Sequence, residues 1–411
     1  MTKTHVKNTI RYYLLIILFL GFLFLSNDFG LADVQKTAIV VAAGIDRQED
    51  TFIITSQIAI PQSSKEGNAS ESVQIVSRGK TVGKAFEEIN AKTGWYPKLV
   101  FCDLIVLGES AKTEDVFEAL DFFLRDEYLS DSCLLAVCEG TAKDILNTSA
   151  LVDPSSSTAI KKVLSSHAER VGTVLPSTLR EFAIGYFSES KSGYLPILTT
   201  EPQQEKIGKN DTTQSTPDKE NSGEKSSASS TEQDASEKGK TQDKPVFSAR
   251  KTALFVGGKW VAQLDSEETF ALSSVLSKLR LASYSVRNNE AACTLNVRRN
   301  SPSIKLKAGE NFHTLQVEVT CTAGLLDYSK SQPIEKIGDA GDVPKEFFTL
   351  AANKLKGEIE QVYEKCKAVG CDLFGVRERL VKYGKRHFQD QQDGAFQNTR
   401  IQTVVRFQNV R

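Results

Sequence analysis

Cysteine and histidine are the side chains of this sequence that could bind a metal or carry redox chemistry. Four of the seven cysteines form two pairs, Cys133/Cys138 and Cys366/Cys371, whose members are five residues apart. Zinc ribbons and thioredoxin-like redox motifs need a much closer CxxC spacing. In an extended strand this separation puts Cys133 and Cys138 on opposite faces, where they could share neither a metal nor a disulfide. The pattern therefore predicts small, buried, apolar thiols.

The histidines are scattered, and none has a cysteine or an acid at ligand spacing. They are His5, His167, His313 and His387. We therefore expect no metal site and no bound cofactor.

Paired carboxylates could perform general acid and base chemistry, and the chain has two adjacent pairs, Glu87-Glu88 and Glu267-Glu268. Adjacent residues on a helix point roughly 100° apart, so these pairs favour solvated helix faces over a glycosidase site. Glycine-rich phosphate loops, the GxSxG serine elbow and the HExxH zinc helix do not occur in the sequence. The absence of these motifs weakens the case for an enzyme without excluding one.

Charge argues against nucleic acid as a partner. Lysine and arginine number 51 against 52 acids, a net charge of -1 in 411 residues, which offers no general attraction for a polyanion. One basic cluster lies near the end of the chain. It is either a solvated helix face or a surface that contacts anionic lipid headgroups. It consists of Arg377, Arg379, Lys382, Lys385 and Arg386.

The first 32 residues have the form of an export signal. Basic residues precede an apolar run from Tyr12 to Leu25, which is short for a bilayer crossing and suits a signal sequence. Small residues before Asp33 predict cleavage between Ala32 and Asp33. The alternative is an uncleaved membrane anchor, and in either case the rest of the chain is expected outside the cytoplasm.

Residues 33–200 mix hairpins with helices, which favours an α+β fold with mixed and antiparallel sheets. The runs TAIVVAAGID and TFIITSQIAI alternate as two strands of a hairpin, and we expect a subdivision of this region near residue 150. Helices are predicted at Thr81–Asn90, after Thr113, after Thr141, at Thr158–Ala168 and at Ser177–Phe187, with strands at Lys98–Leu107 and Ser132–Val137.

Residues 201–246 contain almost no aliphatic side chains and cannot bury enough apolar surface to offset their ordering entropy. The sequence predicts a disordered polar linker, at which proteolysis would release two separately folded fragments.

Residues 247–411 predict a second α+β domain. ARKTALFVGGKWVAQL has the form of a hairpin around Gly257-Gly258, and Ser266 is expected to cap a helix through Leu279. Strands are predicted at 292–297, 303–307, 314–321 and 399–407, and helices at Pro344–Lys367 and Leu373–Phe388. The Pro344–Lys367 helix carries an apolar stripe of Leu355, Ile359, Val362 and Cys366 and stops at Gly370.

Taken in order, several segments resemble the Ger(x)C family, the C subunits of Ger-type germinant receptors of spore-forming bacteria. The segments are TAIVVAAGID, VFCDLIVLGESAK, LDFFLRDEYLSDSCLLAVCEGTAKDIL, TALFVGGKWVAQLDSEET and CDLFGVRERL. The residues that match the family motifs, which we interpret as fold-determining, are Glu109, Arg125, Asp126, Asp372, Phe374 and Gly375.

The resemblance implies a non-enzymatic receptor subunit at the outer face of the spore inner membrane, beside a polytopic A subunit and a transporter-like B subunit. It also implies several α+β domains and a role in nutrient-triggered germination. Family members typically carry an acylated lipobox cysteine, whereas the first cysteine here is Cys102. An exported solute-binding protein or hydrolase unrelated to germination is the alternative function.

Overall fold

The computed structural model describes residues 12–21, 37–59, 72–148, 150, 153, 155–165, 168–201, 246–288, 291–307, 309, 312–330, 343–383 and 392–410. These residues form two mixed sheets packed with helices, which confirms the predicted α+β class. The predicted cleavage site at Ala32 and Asp33 and almost all of the predicted linker lie outside the described ranges.

The first sheet has ten strands, in the order β10-β9-β8-β6-β5-β1-β2-β3, with β4 beside β1 and β7 beside β6. Its strands are β1 (Thr37–Gln48), β2 (Thr51–Ala59), β3 (Ser72–Gly79), β4 (Tyr96–Lys98), β5 (Leu104–Leu107), β6 (Leu134–Cys138), β7 (Ser177–Thr178), β8 (Ser192–Glu201), β9 (Val246–Val256) and β10 (Lys259–Leu264). The four central strands β8, β6, β5 and β1 run parallel, and antiparallel hairpins extend both edges.

Helices cover both faces of the first sheet. They are α2 (Val82–Thr93), α3 (Phe117–Arg125), α4 (Ala142–Asn147), α5 (Ser156–Leu164) and α7 (Leu179–Phe187). The short helix α6 (Ala168–Val171) contacts the strand Ala282–Arg287 of the second sheet instead. The side chains of α2, α3 and α7 share one apolar cluster with residues such as Ile105, whereas α4 and α5 pack on the other face against residues such as Leu104. Central strands covered on both faces are apolar without a break, as parallel strands usually are.

The first sheet includes chain from both sides of the predicted linker. Strand β8 pairs antiparallel with β9, and Glu201 lies opposite Val246. The residues that flank segment 202–245 are therefore neighbours in one sheet. This pairing contradicts the expectation that cleavage in the segment would release separate fragments, because backbone hydrogen bonds would hold the two pieces together.

The second sheet has the order β11-β12-β13-β14 and is packed on one face by helices. Its elements are α8 (Ser266–Val275), β11 (Ala282–Arg287), β12 (Ala291–Lys307), β13 (His313–Lys330), α9 (Lys345–Ala368), α10 (Val376–Tyr383), α11 (Gln392–Ala395) and β14 (Thr399–Asn409). The predicted stripe of α9 is fully buried in the core of this unit, and Gly370 follows the helix with φ 73°. That conformation suits glycine because a side chain would strain it.

Several local predictions need correction. The cap of α8 is Asp265 rather than Ser266, because its carboxylate accepts the N–H groups of Glu267 and Glu268. Thr113 ends a 3-10 turn instead of opening α3, whose N-cap is Val116. The runs predicted at 292–297 and 303–307 form the single strand β12, which β13 pairs along its whole length. Strand β11 had not been predicted.

The apolar N-terminal run is helical over residues 12–21, named α1, and its side chains are exposed. Within the described ranges, no helix combines the length and apolar character that a bilayer crossing requires.

Candidate functional site at the junction of the two sheets

The turn after α9 contains three of the residues singled out from the sequence, and it begins with a buried carboxylate. Asp372 is 1% exposed. Its Oδ1 accepts the N–H of Val376 at 3.0 Å and its Oδ2 accepts the N–H of Arg377 at 2.8 Å. These bonds satisfy backbone donors at the start of α10. Burial nevertheless raises the pKa of Asp372 above its ordinary value.

The same turn joins the second unit to the first sheet. The backbone N–H of Asp372 donates to Ser192 Oγ, at the start of β8, over 2.9 Å. The Cys371 thiol lies 3.5 Å from the carbonyl oxygen of Phe255 in β9, and Arg377 Nη1 lies 3.4 Å from the Ser190 carbonyl oxygen. The turn is thus hydrogen-bonded at the same time to its own helix and to the two strands that flank segment 202–245.

Phe374 and Gly375 complete this turn. The Phe374 ring is buried, with its centroid 5.1 Å from that of Tyr363 at an angle of 84°. Gly375 has φ 69°, and a Cβ at this position would lie 2.6 Å from Nη1 of Arg379. That guanidinium nitrogen donates to the carbonyl oxygens of Phe374 and Gly375 at 2.7 and 2.9 Å. The backbone conformation favours glycine here, and a side chain would displace the guanidinium group of Arg379.

Glu109 lies in a different part of the molecule, at the start of the 3-10 turn Glu109–Lys112. Its backbone N–H donates to the carbonyl oxygen of Gly140 at 2.8 Å. Its carboxylate pairs with Lys112 at 2.5 Å, and the hydrogen bond from Lys112, together with the charge of its ammonium group, lowers the pKa of Glu109. The residue therefore links the chain after β5 to the chain after β6.

Arg125 and Asp126 end α3, in the connection to β6. Arg125 Nε donates to Asp121 Oδ2 at 2.7 Å on the helix surface. Asp126 Oδ1 accepts the N–H groups of Tyr128 and Leu129 at 2.9 and 3.0 Å, which closes a turn of the Asx type. Since Glu109 follows β5 and Asp126 precedes the parallel strand β6, these positions lie toward opposite ends of the strands. The fold does not gather the motif residues into one cluster.

Asp46 was missed at the sequence level, although it ends the quoted run TAIVVAAGID. Its Oδ1 accepts the N–H of Ala142 at 2.7 Å and its Oδ2 that of Lys143 at 3.0 Å, so it caps α4 from a strand 96 residues away. Burial raises its pKa. An aspartate after an apolar strand was the available signal, but the partner helix could not be read from local spacing.

The seven cysteines are free and buried, as the sequence predicted. Cys133 and Cys138 belong to the clusters on the two opposite faces of the first sheet. Burial raises the pKa of Cys371 and of Cys321 to about 12, so these thiols stay protonated near neutral pH. In the ranges that the structure describes, no three metal-ligating side chains come together.

The basic cluster near α10 is only partly available to a ligand. Arg377 and Arg379 direct guanidinium nitrogens at backbone carbonyl oxygens of the junction. Lys385 and Arg386 lie outside the described residues, and Lys382 is exposed. The two arginines therefore support the turn that Asp372 begins.

A cleft of about 420 Å³ opens beside α5, on the face of the first sheet that α4 also covers. Ile39 and Leu104 form part of its apolar wall, and Thr158 contributes a hydroxyl group. Lys161 and Asp103 form an ion pair in it, with side chains 49% and 45% exposed. Its volume is in the range of small-molecule sites.

Comparisons with known proteins agree with this architecture. A family model described as the spore germination protein N-terminal domain matches residues 31–200, and one described as the spore germination B3/GerAC-like C-terminal domain matches residues 250–409. The crystal structure of the GerBC protein covers 90% of this chain, and 97% of its own chain is covered, with a TM-score of 0.51 at 16% identity. That likeness concerns the fold alone.

Two relatives from Bacillus subtilis (strain 168) are also spore germination proteins. Spore germination protein A3 is 27% identical over 175 residues, which are 40% of this chain and 46% of that protein. Spore germination protein B3 is 28% identical over 150 residues, which are 35% of this chain and 37% of that protein. The matched segments thus span less than half the length of either relative.

Proposed function

The chain belongs to the GerAC-like family of spore germination proteins, and from this premise we propose that it acts as the C subunit of a germinant receptor. The observation that supports the proposal most is the matching of two family models, in order, to residues 31–200 and 250–409. One model describes an N-terminal domain and the other a C-terminal domain, and together the matched residues include strands of both sheets.

The proposed role is non-enzymatic. The residues that match family motifs are engaged in helix caps, turns and ion pairs, and the thiols are buried. Such contacts stabilise a shape that can bind partner subunits. We propose that these partners are a polytopic A subunit and a transporter-like B subunit, without nucleic acid.

The proposed location is the outer face of the spore inner membrane. The basic residues and apolar run at the N-terminus support export, either with cleavage after Ala32 or with the run kept as an anchor. Because the first cysteine is Cys102, retention at the membrane would depend on the apolar run or on the partner subunits rather than on an acylated cysteine.

Deletion of the gene in its own spore-forming host tests the proposal. Spores without the protein should lose most of their response to a nutrient mixture while still germinating with a non-nutrient trigger. A complementing wild-type copy should restore the response. Unchanged nutrient germination across a panel of nutrients would contradict the proposal.

The junction provides a sharper version of this experiment. A complementing copy with Asp372→Ala should restore less nutrient response than one with Asp121→Ala, which removes an exposed carboxylate paired only with a neighbouring arginine on α3. Immunoblots of the spore membrane must accompany the comparison, so that a loss of protein is distinguished from a loss of signalling.

The cleft beside α5 favours a second candidate function, the binding of a small polar solute outside any germination role. A cation and an anion at one cleft, Lys161 and Asp103, could together pair with a zwitterion. Under this candidate, the deletion strain germinates normally, and equilibrium dialysis of the wild-type protein with small zwitterions shows binding that Lys161→Met weakens.

A further inference from the structure

One end of the first sheet exposes large apolar side chains that the proposed function has not used. Trp95 is 41% exposed, Tyr96 61%, Val100 45%, Phe101 59% and Tyr128 60%. Single exposed apolar residues are common, but a group of five that includes four aromatic rings at one end of a sheet suggests an interaction surface. We call these five residues the aromatic end.

Strand topology places them together. Strand β1 runs parallel to β4, with Thr37 beside Tyr96, and β1 also runs parallel to β5, which runs parallel to β6. Trp95 and Tyr96 stand at the start of β4, Val100 and Phe101 precede β5, and Tyr128 precedes β6. Residues just before parallel neighbouring strands lie at the same edge of a sheet, so all five lie at the amino ends of these strands.

The aromatic end is distinct from the core beneath it. Leu99 and Cys102, which flank Val100 and Phe101, are 3% and 1% exposed. In this connection, Leu99 and Cys102 are therefore buried, and Val100 and Phe101 between them are exposed. Lys98 Nζ lies 5.3 Å from the centroid of the Tyr128 ring, a cation–π arrangement that fixes a basic group beside the exposed ring.

The N-terminal segment joins the folded body at this same end. Thr37, the first residue of β1, pairs beside Tyr96, and the chain before it leads back to the apolar helix α1 and the basic residues Lys3, Lys7 and Arg11. A segment with this composition, kept as an anchor, is drawn to a bilayer. The aromatic end is therefore where the folded body meets a membrane-seeking segment.

We propose that the aromatic end rests on the lipid bilayer, with Trp95, Tyr96, Phe101 and Tyr128 in the headgroup region. Tryptophan and tyrosine favour this layer because an apolar ring and a polar tip are both accommodated there. The inference rests on the proposed membrane location and adds an orientation, in which the amino ends of the parallel strands face the lipid.

The chemistry of the surface also predicts how it binds. Asp103 lies in the connection that follows Lys98, and Asp126 lies in the connection that contains Tyr128, so the end carries no strong positive field. Contact should depend on ring insertion rather than on anionic lipid, and about 1 M salt, which screens exposed charges within about 3 Å, should leave it intact.

Tryptophan fluorescence tests the orientation in the full chain, because the sequence has two tryptophans, Trp95 and Trp260. The Trp260→Phe variant leaves Trp95 as the reporter. In phosphatidylcholine vesicles with brominated acyl chains, the Trp95 emission of this variant should be weaker than in unbrominated vesicles. In unbrominated vesicles, its emission maximum should lie at a shorter wavelength than without lipid.

A matched control uses Phe187, which is 74% exposed and packs edge-on against Phe117 at the start of α3. Since α3 begins after β5 has ended, this ring lies toward the carboxyl ends of the strands. A Phe187→Trp reporter, made with Trp95→Phe and Trp260→Phe, should show no bromine quenching. Circular dichroism and thermal unfolding of both reporter proteins establish that each is folded.

The outcomes separate this inference from the proposed function. Quenching of Trp95 alone supports the orientation, whereas quenching of neither reporter, or of both equally, overturns it. If Trp95 is protected from bromine only when partner subunits are present, the surface is a protein interface and the lipid proposal fails. A deletion strain with normal germination would remove the receptor role and leave the vesicle result standing.

Discussion

The two sheets differ in how many of their faces are covered by helices. In the first sheet, Leu104–Leu107 and most of Leu134–Cys138 are buried on both faces because helices lie above and below them. In the second sheet, β12 alternates between buried and accessible positions because α8 and α9 cover one face. The number of covered faces therefore determines how much of each strand must be apolar.

The two sheets also differ in how far apart their neighbouring strands lie in the sequence. The strands of the second sheet follow one another from β11 to β13, and β14 then closes the edge after the helices. The first sheet joins β8 to β9 across 44 intervening positions, 202–245, and places α3 between β5 and β6. Distant parts of the chain thus pair at the centre of the first sheet, as β1 does with β5, whereas in the second sheet the distant pairing is that of the edge strand β14 with β13.

The largest expected effect comes from a charge in a strand that is covered on both faces. Val106→Asp puts a carboxylate at a fully buried position of β5 and should lower the free energy of unfolding by more than about 4 kcal/mol, enough to prevent folding of the first sheet. Ser303→Asp, on the exposed face of β12 and opposite Glu318, should lower it by less than about 1 kcal/mol, through repulsion between the two carboxylates. Urea denaturation followed by circular dichroism compares them; equal effects would contradict the distinction between the sheets.

Truncation of the α9 stripe should have the next largest effect. Leu355→Ala removes a fully buried side chain between α9 and the second sheet and should cost about 2–5 kcal/mol, through lost transfer free energy and the cavity left behind. The adjacent Lys356→Ala is the control, since its ammonium group is exposed and lies 4.0 Å from Glu360. Thermal unfolding should separate the two variants clearly, and a loss below about 1 kcal/mol for Leu355→Ala would show that the core collapses around the gap.

The junction between the sheets should give an intermediate effect. Asp372→Ala removes the acceptors for two backbone N–H groups of α10 and should lower the free energy of unfolding by about 2 kcal/mol. Asp126→Ala, which removes the acceptor of an exposed turn, should cost less because water can replace its bonds.

The pH dependence of the same site has a definite sign. Burial raises the pKa of Asp372 above the ordinary value of 3.8, so the folded protein binds this proton more readily than the unfolded chain does. Stability from this group therefore increases as pH falls through the raised pKa toward the ordinary value, and the gain is absent at neutral pH. The difference in unfolding free energy between wild type and Asp372→Asn should shift in favour of wild type as the pH falls from 7 toward the ordinary value of 3.8. A difference that does not change with pH would rule out the raised pKa.

The smallest effect is expected from shortening the connection between β8 and β9. Because Glu201 and Val246 are opposite each other, replacing residues 202–245 by a tight Asn-Gly turn should preserve the first sheet and raise the free energy of unfolding by at most about 2 kcal/mol, through lower loop-closure entropy. A deletion of the same residues without a turn serves as the strained control. Loss of folding in the Asn-Gly variant would show that the segment contributes contacts of its own.

Local signals in the sequence determined many of the elements. The buried stripe of α9 was identified from its spacing, and the hairpins β1/β2 and β9/β10 from alternation around a turn. The helix predicted after Thr141 is α4, and the Thr141 side chain caps it by accepting the N–H of Asp144. These features depend on residues within a few positions of each other, where helix and strand periodicity act directly.

Only the tertiary structure decided where distant parts meet. The cap of α4 by Asp46 joins residues 96 positions apart, and the bond from Asp372 to Ser192 joins residues 180 positions apart. No periodicity connects such partners, because their approach depends on the order of strands in the first sheet and on how helices fill the space between the sheets. For the same reason, the position of β9 and β10 beside β8, the continuity of β12 and the gathering of the aromatic end became visible only in three dimensions.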